Sequence, residues 1–304
     1  MKISVIGTLV KDCLYPYNGG MYEGIGGIHF TISHLAAILQ DTDKIIPITY
    51  LGDDLYKEYS IFIKSIKNVS DEGLFKYLGK NNSVILKYNS INERMEISKF
   101  PLPPIPIEKI KLFLNCDFLI INMISGWDIE LATLEKIREI YPGRIYLDLH
   151  SLVLGRKKTG ERDYRKPADF QKWFDLVDYI QLNEKEFEIL NDQNASLEEF
   201  FINYCFSKDK LINLTLGKNG SKSVYWDKGK INTIIKEPKL TGTEKDPTGC
   251  GDAFMAGFIY GIVTNKQIEQ SLELANFVGS VNCEYYGVPD INYLKVRLRQ
   301  KQII

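Results

Sequence analysis

Short β-rich runs alternate with segments of helical apolar spacing along most of the chain, and this alternation constrains the fold more than any other feature. The β-rich runs are residues 3–6, 45–50, 118–121, 144–147, 179–182 and 211–215. The helical segments are residues 29–39, 56–66, 129–139, 170–177, 197–206, 249–261, 268–282 and 291–300. Strands that alternate with helices form a mostly parallel sheet that helices cover on both faces. The pattern therefore predicts a three-layer α/β/α sandwich.

The length and charge of the chain limit its class. With 304 residues, of which 44% are hydrophobic, the chain can bury one large core, and we expect a single domain over 1–304. The 38 basic and 39 acidic residues nearly cancel, so no overall field favours nucleic acid or a membrane surface. The expected partner is a small polar ligand. The sequence shows neither a signal-peptide segment nor an apolar run of about 20 residues, which favours a cytoplasmic location.

Five cysteines are scattered through the chain without a C-x-x-C pair. They are Cys13, Cys116, Cys205, Cys250 and Cys283. This spacing argues against a disulfide framework and against a structural zinc site. We therefore expect five reduced thiols.

Two regions break the alternation and predict a small β lid over the sheet. The first, approximately 12–25, is rich in tyrosine and glycine. The second, 83–100, alternates like a hairpin around residues 89–92. We expect both to lie within the single domain.

A glycine-rich run stands at the start of the helix predicted at 249–261. Its sequence is Asp246-Pro247-Thr248-Gly249-Cys250-Gly251-Asp252-Ala253-Phe254. The two glycines let successive N–H groups approach one anion at the positive end of the helix dipole. Asp252 lies close enough to this amide nest to take a proton from an alcohol that attacks a bound phosphate. The alternative is that Asp252 only caps the helix, and the run alone does not decide between them.

Two further motifs follow strands, where ligands of doubly wound sheets bind. Asn183 and Glu186 lie three residues apart on one helix face and could order a hydrated Mg²⁺ ion. The same pair fits a capping box, which is the more common role. After the strand at 211–215 comes Thr215-Leu216-Gly217-Lys218-Asn219-Gly220, which is either a hairpin turn or a backbone ledge for a nucleotide.

Together these motifs resemble those of the ribokinase-like, PfkB-type carbohydrate kinases. The family signature is Asp-Thr-Thr-Gly-Ala-Gly-Asp-x-Phe, and residues 246–254 differ from it at two positions. The family's Asn-x-x-Glu corresponds to 183–186, and its Thr-x-Gly-x-x-Gly to 215–220. Residues 7–12, the pair Gly26-Gly27 and residues 52–54 follow the family pattern nearer the N-terminus. The resemblance thus spans nearly the whole chain and implies a ribokinase-like fold.

The resemblance implies an ATP-dependent kinase that phosphorylates a hydroxymethyl group of a sugar or a similar polyol. Asp252 would be the general base, and the backbone of Gly249, Cys250 and Gly251 would form the anion hole. The ATP site would be lined by Thr215, Gly217, Gly220 and Asn276. Asn183 and Glu186 would hold Mg²⁺ through water, while Asp246 matches a position that binds a monovalent cation such as K⁺ in many relatives.

The substrate side of the implied pocket departs from the family. Asp12, with Gly26 and Gly27, would bind substrate hydroxyls. Many sugar-phosphorylating members have an asparagine where this chain has Thr31, which lacks amide donors, so the familiar ribose pocket is not expected. A nucleoside kinase of the adenosine or inosine type is the main alternative, followed by a non-catalytic relative that binds sugar or nucleotide. Because relatives often dimerise through their lids, the resemblance also implies a homodimer.

Overall fold

The computed structural model describes residues 1–16, 19–89, 94–205, 210–238, 242 and 244–300. Its strands are β1 (Lys2–Ile6), β2 (Leu9–Tyr15), β3 (Tyr22–Gly27), β4 (Lys44–Gly52), β5 (Leu74–Tyr77), β6 (Ser83–Tyr88), β7 (Arg94–Lys99), β8 (Phe118–Asn122), β9 (Arg144–Asp148), β10 (Leu154–Arg156), β11 (Arg162–Tyr164), β12 (Tyr179–Asn183), β13 (Leu211–Thr215), β14 (Ser221–Asp227) and β15 (Lys230–Lys236). Its helices are α1 (Ile28–Ile38), α2 (Asp53–Lys64), α3 (Ile107–Ile110), α4 (Leu131–Ile140), α5 (Phe170–Asp175), α6 (Glu184–Leu190), α7 (Leu197–Cys205), α8 (Cys250–Val263), α9 (Ile268–Asn282) and α10 (Ile291–Gln300).

The central sheet contains nine of the described strands, in the order β15-β14-β13-β12-β9-β8-β1-β4-β5. Neighbouring strands from β13 to β5 run parallel, and β14 and β15 complete the sheet in antiparallel pairing. All six predicted strands lie in the parallel part. The mostly parallel sheet is therefore confirmed.

Two hydrophobic cores cover the two faces of this sheet. Because side chains alternate along a strand, Ile3 and Val5 of β1 pack on one face and Ile6 on the other. Helices α1, α2, α8, α9 and α10 complete the first core, and α3 to α7 complete the second. The predicted three-layer sandwich is confirmed. Among the described helices, none is long and apolar enough to span a membrane.

The predicted helices are present, with small shifts at their ends. Helix α8 begins one residue after the predicted start, because Gly249 adopts φ 76° and acts as its N-cap. Helix α3 is an addition to the eight predicted segments, and α6 is the helix expected after Asn183. The last residue of the helix predicted at 197–206 lies outside the described residues.

Helices α8 and α9 pack antiparallel with their backbones close together. A Cβ atom on Gly257 would come within 2.9 Å of the Leu274 carbonyl oxygen, and one on Gly261 within 2.3 Å of Ser271 Oγ. Only glycine permits this approach. The packing brings the start of α8 beside the end of α9.

This packing also corrects the expectation of five reduced cysteines. Cys250, the first residue of α8, and Cys283, which follows α9, form a disulfide with their Cα atoms 6.0 Å apart. Their separation of 33 residues gave no sign of the pairing in the sequence. Cys13, Cys116 and Cys205 remain free thiols.

The two predicted lid segments contribute to one small sheet. Its strand order is β3-β2-β6-β7, with β6 and β7 forming the predicted hairpin. The hairpin turn at 90–92 and residues 17–18 of the first segment lie outside the described residues. An isolated bridge between Ile97 and Glu161 joins this sheet to the neighbouring β10–β11 pair.

Candidate active site

Four neighbouring strands of the central sheet end at one edge in polar side chains. They are Asn122 of β8, Asp148 of β9, Asn183 of β12 and Thr215 of β13. Asn122 pairs in register with Asp148, and Asn183 pairs with Thr215. Helix α8 begins at the same edge, where the Gln181 amide of β12 donates to the carbonyl oxygen of Gly251 at 3.0 Å. This edge is where ligands bind in open α/β sheets.

Asp252 is held in the first turn of α8 by two buried polar side chains. Thr31 Oγ1 donates to Asp252 Oδ1 at 2.8 Å, and Asn122 Nδ2 donates to the same oxygen at 2.6 Å. Burial raises the pKa of Asp252 to about 6, although these two hydrogen bonds oppose the increase. A carboxylate that titrates near neutral pH suits proton abstraction.

Thr31, where the resemblance predicts a substrate contact, lies beside Asp252, and its contact with substrate stays a prediction. Helix α1 begins at Ile28 after Gly27, whose φ is 66°, and Thr31 therefore turns inward and has no exposed surface. Its hydroxyl group contacts the Asp252 carboxylate. Asn122 was missed in the sequence, where the only signal is a polar residue directly after the apolar run at 118–121.

One of the three N–H groups predicted for the amide nest already has a partner within the chain, and anion binding there stays a prediction. Gly249 takes a left-handed conformation, and a Cβ atom there would lie 2.0 Å from Phe30 Cδ1. The N–H of Cys250 donates to the Pro247 carbonyl at 3.2 Å. The candidates for binding an anion are therefore the N–H groups of Gly249 and Gly251.

A row of buried polar side chains supports the nest from beneath. Tyr146 OH donates to Gln181 Oε1 at 2.9 Å, and Asn213 Nδ2 donates to Tyr146 OH at 3.1 Å. Ser223 in turn donates to Asn213. Since Gln181 holds the Gly251 carbonyl, this row fixes the peptide that precedes Asp252. None of these four side chains stood out in the sequence.

Asn183 and Glu186 form the capping box of α6. The Glu186 N–H donates to Asn183 Oδ1 and the Asn183 N–H to Glu186 Oε2, each at 2.9 Å. Glu186 is only 7% exposed, and its charge lies near Asp148. Burial, then repulsion by Glu186 and Asp252, hold the pKa of Asp148 well above its usual range.

This concentration of acidic groups fits a divalent cation, which would offset their mutual repulsion. Within the described ranges, no group of three or more His, Cys, Asp or Glu side chains could hold a metal ion by itself. A magnesium ion here would complete its shell with water and phosphate oxygens, which is its usual behaviour in phosphoryl-transfer sites.

Asp246, predicted as a ligand of a monovalent cation, is buried in the loop before α8. Its carboxylate accepts hydrogen bonds from the N–H groups of Thr248 at 2.9 Å and Gly287 at 3.4 Å. The Thr248 carbonyl accepts one from Asn282 Nδ2 at 2.8 Å. Cation binding at Asp246 stays a prediction.

A cavity of about 640 Å³ opens beside the nest and brings together the four residues predicted for the ATP site. These are Thr215, Gly217, Gly220 and Asn276, and the cavity is also lined by Gly251 and Phe254. Gly220 adopts φ 88°, and a Cβ atom there would come within 2.0 Å of the Lys236 carbonyl. That same carbonyl accepts a hydrogen bond from Asn276 Nδ2 at 3.0 Å. The 217–220 turn and α9 therefore meet at one strand end.

The predicted substrate residues Asp12, Gly26 and Gly27 lie together where β2 pairs with β3. A Cβ atom on Gly26 would come within 1.7 Å of Asp12 Oδ2, so the glycine leaves room for the carboxylate. A Cβ atom on Gly27 would lie 2.2 Å from the Thr8 carbonyl. Gly26 thus makes room for the Asp12 carboxylate, and Gly27 lets the chain pass close to Thr8.

Comparisons with known proteins agree with this geometry. The family model for pfkB family carbohydrate kinases matches residues 156–292. A ribokinase from Lactococcus lactis is 32% identical over 133 residues, which are 42% of this chain and 41% of that protein. The chain thus matches less than half the length of that relative.

Two solved structures share the fold over nearly their full lengths. A pyrophosphate-dependent kinase in the ribokinase family, solved with sulfate, has a TM-score of 0.79 at 18% identity, covering 97% of this chain and 99% of the other. The nucleoside kinase of Burkholderia thailandensis, solved with inosine, has a TM-score of 0.75 at 15% identity, covering 99% and 98%. At these identities the two structures show a ribokinase-like fold, and the match to the pfkB family model over residues 156–292 agrees with that fold.

Proposed function

We propose that this protein is an ATP-dependent phosphotransferase that moves the γ-phosphoryl group to a hydroxymethyl group of a sugar or sugar-like polyol. The observation that carries the proposal is Asp252. This buried carboxylate has a pKa raised to about 6 and lies in the first turn of α8, next to the N–H groups of Gly249 and Gly251. A base and an anion site therefore share one helix terminus.

In the proposed reaction, the substrate hydroxyl attacks the terminal phosphorus in line while Asp252 accepts its proton. Thr31 and Asn122 hold the Asp252 carboxylate in place through Oδ1. The nest N–H groups stabilise the charge that develops on the phosphoryl oxygens. Because Gly251 is fixed by Gln181, the base and the nest keep a constant spacing.

The cavity beside the nest supports ATP as the phosphoryl donor. It has a volume of about 640 Å³, and its lining includes Phe254, Pro238 and Pro247. A nucleoside needs such apolar walls. Pyrophosphate, on which one kinase of similar fold depends, has no nucleoside and needs none of them.

Asn183 and Glu186 would hold Mg²⁺ through water, with Asp148 nearby. The ion, when bound, would neutralise charge on the donor phosphates. The capping box is compatible with this role, since it holds the buried Glu186 carboxylate beside Asn183, which lines the cavity.

The small sheet of β3, β2, β6 and β7 is proposed as a lid that carries Asp12 to the acceptor. Tyr22 of β3 stacks on Tyr286, with ring centroids 5.1 Å apart, so the sheet already reaches the segment that follows α9. Met21, which precedes β3, and Met95 of β7 are exposed and are candidates for a homodimer contact. A lid that excludes water would limit hydrolysis of ATP.

A nucleoside is the second candidate acceptor, because the same base serves a 5′-hydroxyl and a similar fold is solved with inosine. One screen separates the candidates. Sugars, polyols and nucleosides are each incubated with ATP and Mg²⁺, and ADP is detected by a coupled assay, with pyrophosphate as a parallel donor. Turnover of a sugar or polyol with ATP supports the proposal. Turnover with pyrophosphate alone, or with no acceptor, would contradict it.

A further inference from the structure

We propose that Cys250 and Cys283 form a reversible thiol–disulfide modification site that controls access of the phosphoryl donor. Peroxide-class oxidants would close the pair, and dithiols would open it. The kinetic part of this inference rests on the proposed kinase function. The thiol chemistry does not.

The first argument is position. Both cysteines line the 640 Å³ donor cavity, and both are half-buried, so small reagents in the cavity can reach them. Their Cα atoms are 6.0 Å apart, a spacing that a disulfide spans without backbone movement. Cys205, by contrast, is 2% exposed in the core beneath α7.

The second argument is the surroundings of the Cys250 sulfur. Cys250 is the first residue of α8, so the positive end of a fourteen-residue helix favours its thiolate. Asn282 Nδ2 also lies 3.5 Å from Cys250 Sγ and can donate to it. The thiolate is the form that reacts with peroxides and disulfides.

The chemistry balances without further reagents. The Cys250 thiolate attacks hydrogen peroxide, which gives a sulfenic acid and, with one proton, one water. The Cys283 thiol then displaces the sulfenic oxygen as a second water and forms the S–S bond. The two sulfurs lose two electrons, and the peroxide gains them. A dithiol reverses the bond by exchange and becomes a disulfide itself.

The third argument links the bond to the donor site. Gly251, which follows Cys250, belongs to the nest, while Asn276 and Ser280 of α9 line the opposite wall of the cavity. The bridge ties these two walls together at Cys283. A donor that draws the α9 wall toward the nest needs Cys283 to move relative to Cys250, and the bridge opposes that movement. We therefore expect oxidation of the two cysteines to weaken binding of the donor. Because coupling between two sites is reciprocal, bound donor should in turn slow oxidation of the cysteines.

The first experiment maps the bond. Reduced protein is treated with hydrogen peroxide, free thiols are alkylated, and peptides are identified by mass spectrometry with and without ATP and Mg²⁺. We expect a Cys250–Cys283 linked peptide that a dithiol removes, and that forms at least about fivefold more slowly with ATP. Absence of the linked peptide, or equal rates with and without ATP, would overturn the inference.

The second experiment measures donor affinity of the reduced and oxidised forms. Binding of a fluorescent ATP analogue needs no phosphoryl transfer, so its result stands even if the proposed reaction is wrong. We expect oxidation to weaken binding at least about fivefold in wild type and in the Cys116→Ser control, and not in Cys283→Ser. Unchanged binding after complete oxidation would also overturn the inference. If the protein has kinase activity, the KM for ATP should follow the binding result while the KM for the acceptor stays constant.

Discussion

Thr31 donates a hydrogen bond to Asp252 across 2.8 Å, although 221 positions separate the two residues in the chain. The bond joins the first turn of α8 to helix α1, which follows the Gly26-Gly27 pair. The proposed base is therefore fixed by an element from the opposite end of the sequence. Its protonation state depends on that contact and on Asn122.

Replacing Asp252 with asparagine should abolish the proton acceptor and keep the local structure. The amide oxygen of Asp252→Asn can still accept from Thr31 and Asn122. We expect kcat to fall by about 10² to 10⁴-fold. Binding of ATP, measured by calorimetry, should stay within about twofold, since the base contributes little to ground-state binding. Full activity in this variant would show that Asp252 is not the base.

The pH dependence of activity should report the pKa of Asp252. Proton abstraction requires the carboxylate, so kcat/KM should fall as the pH drops below about 6. In Thr31→Val the carboxylate loses a hydrogen bond that lowers its pKa, so the acid limb should move to higher pH by about one pH unit. The exposed Thr159→Val serves as a matched control and should keep the wild-type profile. An acid limb that stays in place in Thr31→Val would contradict the assignment.

Glu186 should determine the magnesium requirement. In Glu186→Gln the side chain keeps an oxygen for the capping box but loses its charge. We expect the Mg²⁺ concentration for half-maximal activity to rise by about tenfold or more. Glu188→Gln, on the same helix and exposed beside Lys185, should leave this concentration unchanged. Equal magnesium titrations for the two variants would remove Glu186 from the metal site.

The buried polar row beneath the nest should contribute to stability. Tyr146→Phe leaves Gln181 Oε1 without its donor and Asn213 Nδ2 without its acceptor in the interior. We expect the free energy of unfolding in urea to drop by about 1 to 3 kcal/mol. Tyr141→Phe removes only a long bond to the Cys116 carbonyl, 3.4 Å, and should change stability less. A Tyr146→Phe protein as stable as wild type would mean that the row carries no net stabilisation.

The fold could be predicted because its signals are periodic and local. Alternating β-rich and helical segments determine a parallel sheet with covered faces, and the six predicted strands are all present in it. The left-handed turn at Gly249 before α8 agrees with the glycine pattern of the sequence, while anion binding there stays a prediction. Helix ends such as that of α5 were less well defined, because their last turns depend on packing.

The side chains that support Asp252 could not be predicted, because their roles arise from distant contacts. Asn122 and Gln181 are ordinary polar residues in apolar strands until the sheet brings them to α8. Thr31 was predicted at the substrate because the Gly-Gly pair precedes it, but its hydrogen bond to Asp252 could not be read from the sequence. The Cys250–Cys283 pair depends likewise on the packing of α8 against α9.

The close packing of Gly257 and Gly261 against α9 fixes the position of α9 relative to α8. The proposed base and Gly251 lie in the first turn of α8, and Asn276 lies on α9. A bulky residue at Gly257, less than two helical turns from Asp252, would push α8 and α9 apart. Such a change at Gly257 should therefore affect donor binding and proton transfer together, whereas a change in the 217–220 turn, which lies outside these two helices, should affect donor binding alone.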